Sequence, residues 1–278
     1  METTSKRNAK VNNWIFLSKN KEDPFINQFA RGCGALPVDT EEFKYADSTA
    51  PLCFRGILKK KIIRQCWEDQ RTFYFMDTGY FGNDAKQSNP HGYKVYHRIV
   101  KNNLQHQTVV KRPSDRWEAL KQKIVPWKKD GRKILLAAPD EKPCKFYDVD
   151  YVNWVDNTIS EIKKYTDRPI EVRQRNKLRI ERTVNNTLKQ ALDDDVFALV
   201  TFNSNAATES VLYGIPVFVL APVNAAAPVG LTDLRQIEKP FYPSSDEIYE
   251  WACHLAYGQF HVNELKTGMA KRMLLELW

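Results

Sequence analysis

The chain has 278 residues, a hydrophobic fraction of 42%, an aromatic fraction of 12% and a formal net charge of +8. These values exclude an intrinsically disordered chain and fit one large globular domain or two of ordinary size. The positive charge favours an anionic partner such as a nucleic acid, a nucleotide or an acidic glycan.

The cysteines and the apolar stretches of the sequence indicate the cellular compartment of the protein. The five cysteines are scattered and odd in number, which argues against a disulfide framework or a structural zinc site and for a reducing compartment. The start of the chain, METTSKRNAKVNN, is polar and does not look like a secretory signal. No stretch approaches the roughly 20 apolar residues that span a bilayer. We therefore expect a cytoplasmic protein that makes no transmembrane contact.

Short apolar runs alternate with helical stretches along the first half of the chain. Apolar runs bounded by turn residues are typical of buried strands, and Pro24 followed by Gly32 frames a helix. The segment that begins at Ile57 reads as a basic amphipathic helix. We predict strands at 14–18, 51–55 and 71–76, and helices at 24–30 and 57–69.

A polar segment, KQKIVPWKKDGR, interrupts this pattern and is typical of a domain linker because it combines Pro126, Gly131 and several cations. After it the alternation restarts, which predicts an α/β fold with two domains, 1–125 and 126–278, each with a parallel sheet. Ligands of such sheets bind beyond the carboxyl ends of the strands, so we expect a cleft between the domains. The second domain is predicted to contain strands at 133–138, 170–173, 197–202 and 215–220, and helices at 149–165, 187–192, 206–213, 245–257 and 262–277.

The most informative segment is FALVTFNSNAATESVLYGIPVFVLAP, which reads as a compact βαβ unit with a helix stop at Gly214. A helix that starts after a parallel strand offers free N–H groups to a phosphate. Ser204 and Asn205 lie at that start, and Glu209 is placed to bind a ribose hydroxyl. The alternative is a plain helix cap with an exposed carboxylate.

Two long segments carry a family resemblance. TFNSNAATESVLYGIPVFVLAPVNAAAPVG resembles a segment of bacterial and phage proteins related to capsular-polysaccharide glycosyltransferases. IEKPFYPSSDEIYEWACHLAYGQFHVNELKTGMA is similar to their C-terminal part. The resemblance implies a GT-B fold, in which two Rossmann-like domains face each other and a C-terminal helix crosses back to the first domain. The acceptor domain would be 1–125 and the donor domain 126–278.

The resemblance also implies roles on the donor side. It places Ser204 and Asn205 near the donor phosphates, and Glu209 near the donor ribose. Asn224 and Ala225, in a loop of small residues, would lie near the sugar or the diphosphate, although a plain tight turn explains the same loop. The default donor nucleotide by resemblance is UDP.

Cationic side chains that follow a predicted strand can neutralise the negative charge of a leaving group. Arg173 and Arg175 follow the IEVR strand and can neutralise a leaving diphosphate without a metal, although a solvated loop explains them as well. Asp193–Asp195 has the spacing of a metal motif but precedes a buried strand, where a solvated turn is the safer reading. The histidines show no metal-ligand spacing. We therefore expect no metal and no cofactor besides the nucleotide-sugar co-substrate.

A candidate catalytic carboxylate lies in the first half. Asp77 comes at the end of an apolar strand and is followed by Gly79 and Gly82, where α/β enzymes place catalytic groups. Direct sugar transfer needs a base that takes the proton of the acceptor hydroxyl. A turn-capping role is the alternative for Asp77. Because the resemblance places the acceptor domain first, we favour the base.

Basic residues alternate with aromatic and amide residues in the first half of the chain. Such surfaces bind phosphate backbones and stack a displaced base, although a solvated basic face explains them equally well. The candidate DNA-binding residues are Lys59, Lys60, Lys94, Arg98, Lys111 and Arg112.

We thus predict a monomeric, metal-independent glycosyltransferase of the hexosyl type that acts on a nucleotide-sugar, by expectation a UDP-sugar. The charge and the similarity to phage DNA glycosyltransferases favour a 5-hydroxymethylpyrimidine of phage DNA, displaced from the duplex, as the acceptor. One alternative is a surface or capsular polysaccharide glycosyltransferase. The other is a non-catalytic nucleotide- or nucleic-acid-binding protein on the same fold.

Overall fold

The computed structural model describes residues 14–57, 60–83, 95–174 and 187–278. The strands in these residues are β1 (Ile15–Ser18), β2 (Val38–Asp39), β3 (Leu52–Arg55), β4 (Phe73–Thr78), β5 (Tyr96–Lys101), β6 (Lys133–Ala137), β7 (Ile170–Arg173), β8 (Val196–Thr201), β9 (Val217–Val219) and β10 (Gln259–His261). The α-helices are α1 (Pro24–Gly32), α2 (Lys60–Glu68), α3 (Asp115–Ala119), α4 (Glu141–Phe146), α5 (Trp154–Ile162), α6 (Leu188–Asp193), α7 (Ala206–Leu212), α8 (Ser245–Tyr257), α9 (Val262–Lys266) and α10 (Met269–Leu277).

The chain divides into two compact units. Unit 1 comprises Met1–Met76 and Val262–Trp278, and unit 2 comprises Asp77–His261. The C-terminal helices therefore belong to the N-terminal unit, as predicted from the resemblance. The chain passes between the two units after Met76 and after His261, and not at the predicted boundary between 125 and 126. The assignment of acceptor and donor roles to 1–125 and 126–278 stays a prediction.

Unit 1 contains a parallel sheet in the order β2-β1-β3-β4. Strands β1, β3 and β4 are short runs of mainly buried apolar residues, as predicted, whereas the two-residue strand β2 was not predicted and is partly buried. Aromatic rings pack around these strands. The ring of Trp14 stacks on that of Tyr74 with centroids 3.8 Å apart, and Phe16 meets Phe29 of α1 edge to face at 5.2 Å. Such pairs stabilise a core beyond the apolar area that they bury.

The C-terminal helices pack on α1 through a close backbone contact. Helix α1 ends at Gly32, where an added methyl group would lie 2.2 Å from the carbonyl oxygen of Leu265 in α9. Gly268, between α9 and α10, has φ +69°, and a methyl group there would lie 2.3 Å from the carbonyl oxygen of Gly32. Glycine at these positions allows the two backbones to approach.

Unit 2 contains a parallel sheet in the order β7-β6-β8-β9. Side chains on one face of the sheet, such as Leu135 and Leu199, pack in a cluster with Trp251 of α8. Ile134 on the other face packs in a cluster with Ile162 of α5. Every residue of β8 is buried, which explains its unbroken apolar sequence. Together β8, α7 and β9 confirm the predicted βαβ unit.

Strands β5 and β10 of unit 2 form an antiparallel ladder that we did not predict, with Arg98 opposite Gln259. The sequence YHRIVK reads as a basic surface, and its partner strand lies far along the chain, so no local pattern reveals the pairing. The ladder sets the path of the chain after β4, because the N–H of Gly79 donates to the carbonyl of Tyr96 at 2.9 Å.

The helix predicted at 149–165 is shorter than expected. The structure has a helix only at Trp154–Ile162, preceded by turns. Asp148 adopts φ +57°, and Oδ1 of Asp150 accepts from the N–H groups of Val152 and Asn153. These hydrogen bonds to the Asp150 side chain stabilise a turn, so the helix begins later than predicted.

Candidate active site

The end of β4 places Asp77 against a buried cation of β5. Asp77 is the penultimate residue of the strand, and 36% of its side chain is exposed. Its Oδ2 lies 3.3 Å from Nη2 of Arg98, whose side chain is only 8% exposed. Nη1 of Arg98 donates to the carbonyl oxygen of Thr78 at 2.7 Å. The predicted catalytic carboxylate is therefore accessible and ion-paired within unit 2.

The turn that precedes α7 reaches the same place through Asn205. Its Oδ1 accepts from Nη1 of Arg98 at 3.3 Å, and its Nδ2 donates to the carbonyl of Gly79 at 3.1 Å. Both amide atoms are therefore bonded within the protein. Asn205, predicted to contact phosphate, connects the start of α7 to the residues after β4.

The start of α7 contains the other predicted donor residues. Oγ of Ser204 accepts from the N–H of Ala206 at 3.1 Å, so this hydroxyl caps the turn locally. Glu209 lies in the first turn and is exposed, as a carboxylate that binds a ligand hydroxyl must be. Ser204 and Asn205 thus directly precede α7, and Glu209 lies in its first turn.

The loop after β9 is built around two buried residues, Asn224 and Ala225, which are 1% and 0% exposed. The N–H of Ala225 donates to Oε1 of Gln105 at 3.0 Å, and its carbonyl accepts from Nε1 of Trp251 at 2.7 Å. Oδ1 of Asn224 accepts from the N–H of Ala226 at 2.8 Å. Nδ2 of Asn224 is buried and has no hydrogen-bond partner in the described part of the chain.

Two buried glutamines that sequence reasoning missed hold the loops of the site. Oε1 of Gln259 accepts from the N–H groups of Tyr80 and Phe81 at 2.7 and 3.0 Å, and so fixes the turn after β4. Nε2 of Gln105 donates to the carbonyl of Asn203 at 3.2 Å, and so joins the turn before α7 to the loop after β9. No motif in the sequence marks either glutamine, because each acts through contacts that are distant along the chain.

Two histidines are buried beside this network. His106 and His254 are 5% and 0% exposed, and their rings meet edge to face with centroids 5.6 Å apart. Tyr80 Oη lies 3.2 Å from Nδ1 of His106. Burial, and then the charges of His254 and Arg98, lower the pKa of His106 well below its ordinary value. Burial and the charge of Arg112 lower the pKa of His254 to about 4. Both rings are therefore neutral near pH 7.

The strand-end cations are only partly described. Arg173 is the last residue of β7 and is partly exposed, while Arg175 lies outside the described residues. In the acidic run, Asp193 pairs with Lys189 at 2.5 Å and Asp194 with Lys133 at 2.5 Å. These surface ion pairs agree with a solvated turn.

The candidate DNA-binding cations lie in different environments. Lys60 is the first residue of α2 in unit 1 and is partly buried. In unit 2, Lys111 is 86% exposed, with its Nζ 3.9 Å from Oε1 of Glu250, and Arg112 is partly buried. Arg98 is buried against Asp77. Two further members of the set, Lys59 and Lys94, lie outside the described residues.

The described residues contain neither a metal-binding cluster nor a membrane-spanning helix. No group of three or more His, Cys, Asp or Glu side chains there is arranged to hold a metal ion. Independence from metal stays a prediction. None of the helices described is both long enough and apolar enough to cross a bilayer.

Comparison with known proteins gives one informative match. No protein-family model and no curated protein sequence matches the chain. A solved structure, the β-Kdo 2,4 transferase KpsC of Thermosulfurimonas dismutans, matches 95% of this chain and 98% of its own with 12% identity and a TM-score of 0.55. The two chains share a fold. The predicted α/β, GT-B-like fold is thereby confirmed, and it is a fold that a glycosyltransferase uses.

A second match involves another structure of the same organism. The β-Kdo 2,7 transferase of KpsC matches 80% of this chain and 85% of its own with 12% identity. Its TM-score of 0.42 is too low to establish a shared fold.

Proposed function

We propose that this protein transfers a sugar from a nucleotide-sugar to a hydroxyl group of a saccharide acceptor, with Asp77 as the catalytic carboxylate. The observation that carries the proposal is the direct connection in unit 2 between Asp77 and the turn that begins α7, through Arg98 and Asn205. The shared fold with a Kdo transferase supports the same reaction class.

We assign each part of a direct transfer to a residue of this chain. The accessible carboxylate of Asp77 takes the proton of the acceptor hydroxyl as that oxygen attacks the anomeric carbon. Glu209 accepts hydrogen bonds from the donor ribose. Arg173 and Arg175 balance the charge of the leaving phosphate. A donor-side role for Asn224 and Ala225 stays a prediction.

A saccharide acceptor fits the described residues better than DNA. Arg98, a candidate for DNA contact, is buried and bonded to Asp77, so it is withdrawn from any phosphate backbone in solution. The protein with the shared fold is by its name a Kdo transferase. DNA contact by Lys59, Lys60, Lys94, Lys111 and Arg112 stays a prediction, and it is tested together with the saccharide. The UDP nucleotide and the monomeric state are also still predictions.

The test is a matrix of donors and acceptors. Purified protein is incubated with UDP-hexoses or nucleotide-activated Kdo, and with either an oligosaccharide panel or duplex DNA that contains 5-hydroxymethylpyrimidines. Mass spectrometry is expected to show the gain of one sugar residue on an oligosaccharide. A direct attack assisted by a base inverts the anomeric centre, whereas a retained configuration would assign the attack itself to Asp77.

Three outcomes decide between the proposals. A gain in mass on DNA alone replaces the saccharide with DNA as the acceptor, and binding to duplex should then weaken steeply between low and moderate salt. A nucleotide that binds without any transfer favours the non-catalytic alternative. Neither transfer nor nucleotide binding with any donor contradicts the proposed function.

A further inference from the structure

We infer that Arg98 and Asn205 are positioning residues that orient the carboxylate of Asp77, and that neither contacts the substrates directly. The inference rests on the proposed function in one respect, that Asp77 is the catalytic carboxylate. It assigns new roles to two residues whose sequence context predicts DNA contact and phosphate contact.

Arg98 directs its hydrogen bonds to groups of the protein. Its guanidinium donates to the carbonyl of Thr78 at 2.7 Å, to Oδ1 of Asn205 at 3.3 Å and to Oδ2 of Asp77 at 3.3 Å. The same group lies over the ring of Tyr80, 5.3 Å from its centroid. Since only 8% of the side chain is exposed, a substrate meets the Asp77 carboxylate and not the cation behind it. Arginine suits this place because its planar fork reaches several acceptors at once.

Asn205 extends the contact to the start of α7. Its acceptor atom binds Arg98 and its donor atom binds the carbonyl of Gly79, so the position requires one acceptor and one donor on a short side chain. Aspartate lacks the donor, and alanine lacks both. The orientation of Asp77 therefore depends on the conformation of the turn that a nucleotide-sugar is proposed to contact.

The backbone around Asp77 is held from a second side. Gln259 accepts from the N–H groups of Tyr80 and Phe81, and the N–H of Thr78 donates to Oδ1 of Asp77 at 2.7 Å. With the backbone and Oδ1 held in this way, the freedom that remains is in Oδ2 of Asp77. The contact with Arg98 restricts that freedom, and small misplacements of a catalytic group are costly to the rate.

The first test separates positioning from binding. In Arg98→Gln and Asn205→Ala we expect kcat to fall by about 10- to 100-fold, with the donor KM and the Kd for UDP, CMP or another nucleotide that binds changed by about twofold or less. Arg98→Lys should recover part of kcat. Arg235→Gln removes an exposed cation that pairs only locally with Asp233, and it serves as the charge-matched control. A rise in KM and Kd with unchanged kcat would show direct contact and overturn the inference.

The second test asks whether Arg98 acts through Asp77. If it does, the double variant Arg98→Gln/Asp77→Asn has the same kcat as Asp77→Asn alone, because the group that Arg98 orients has already lost its function. Losses that multiply would mean that Arg98 acts independently, and the positioning role would be wrong.

A third measurement does not depend on activity. If the wild-type protein transfers no sugar, the proposed function fails, and amide hydrogen exchange still tests the contacts. Peptides that cover 77–81 and 203–207 should exchange faster in Arg98→Gln and Asn205→Ala than in Arg235→Gln. Equal exchange in all three would overturn the inference. Should Arg98→Gln fail to fold, Arg98→Lys and Asn205→Ala carry the same comparisons.

Discussion

Single residues of the site are bonded mainly to one another, and two of them make the fold sensitive to acid. His106 and His254 are buried and neutral, and the N–H of Val110 donates to Nδ1 of His254 at 3.2 Å, which requires that nitrogen to be unprotonated. The charged groups that face the pair are Arg98 and Arg112, both cations that oppose protonation. In the unfolded chain the same histidines take up protons at their ordinary pKa.

The direction in which stability changes with pH follows from the lowered pKa of His254. Because the pKa of His254 is about 4 in the folded protein, and lower than in the unfolded chain, its stabilising contribution is present above pH 6.5 and is lost as the pH falls toward 4. Between pH 7 and pH 5 we expect His254 alone to lower the free energy of unfolding by about 2 kcal/mol. Urea unfolding at both values measures this.

The matched variant is His254→Gln, which keeps an acceptor for the N–H of Val110 and cannot be protonated. Its free energy of unfolding should change less between pH 7 and pH 5 than that of the wild type. An identical pH dependence in the two proteins would show that His254 is not the group that titrates.

At the scale of elements, the contact between α1 and α9 depends on the absence of a side chain at Gly32. In a helix without such a contact, glycine to alanine stabilises by up to about 1 kcal/mol. Here the added methyl group would lie 2.2 Å from the carbonyl oxygen of Leu265, so one of the two backbones must shift.

We expect Gly32→Ala to destabilise the protein by about 2–3 kcal/mol, since overpacking a close contact costs this much. Gly34→Ala is the control, because its φ is +71° and no atom of the described residues lies within 4 Å of the added methyl group. There the conformational strain alone costs about 1–2 kcal/mol. Thermal unfolding compares the two, and a stabilised Gly32→Ala protein would contradict the observed contact.

Local patterns predicted the elements but not their long-range partners. The βαβ unit of β8, α7 and β9 was predictable because a strand buried on both faces has an unbroken apolar sequence. The strand end at Asp77 was predictable for the same reason. The ladder of β5 with β10 was not, since its residues are spaced widely along the chain and include cations.

The same limit applies to the site. The positions of Asp77 at a strand end and of Glu209 at a helix start were predictable, whereas their roles stay predictions. The burial of Arg98 was not predictable, because a basic residue next to aromatic ones looks the same on a surface as in an ion pair. Gln105 and Gln259 act only through the fold, and no spacing in the sequence relates them to the loops that they hold.

At the scale of the whole molecule, the fold and the function rest on different evidence. The fold is shared with a Kdo transferase over 95% of the chain at 12% identity, which shows that the arrangement of buried strands and helices persists when most side chains differ. A shared fold does not establish a reaction, because different activities use the same architecture. The proposed transfer depends on the Asp77 carboxylate.

The most direct test of that claim is the rate of sugar transfer by Asp77→Asn. Asp156→Asn removes an exposed carboxylate of α5, outside the proposed site, and serves as the control. We expect Asp77→Asn to lower kcat by about 10²- to 10⁴-fold and to change the Kd for the nucleotide-sugar by about twofold or less, with Asp156→Asn unaffected. Transfer by Asp77→Asn at the wild-type rate would contradict this expectation.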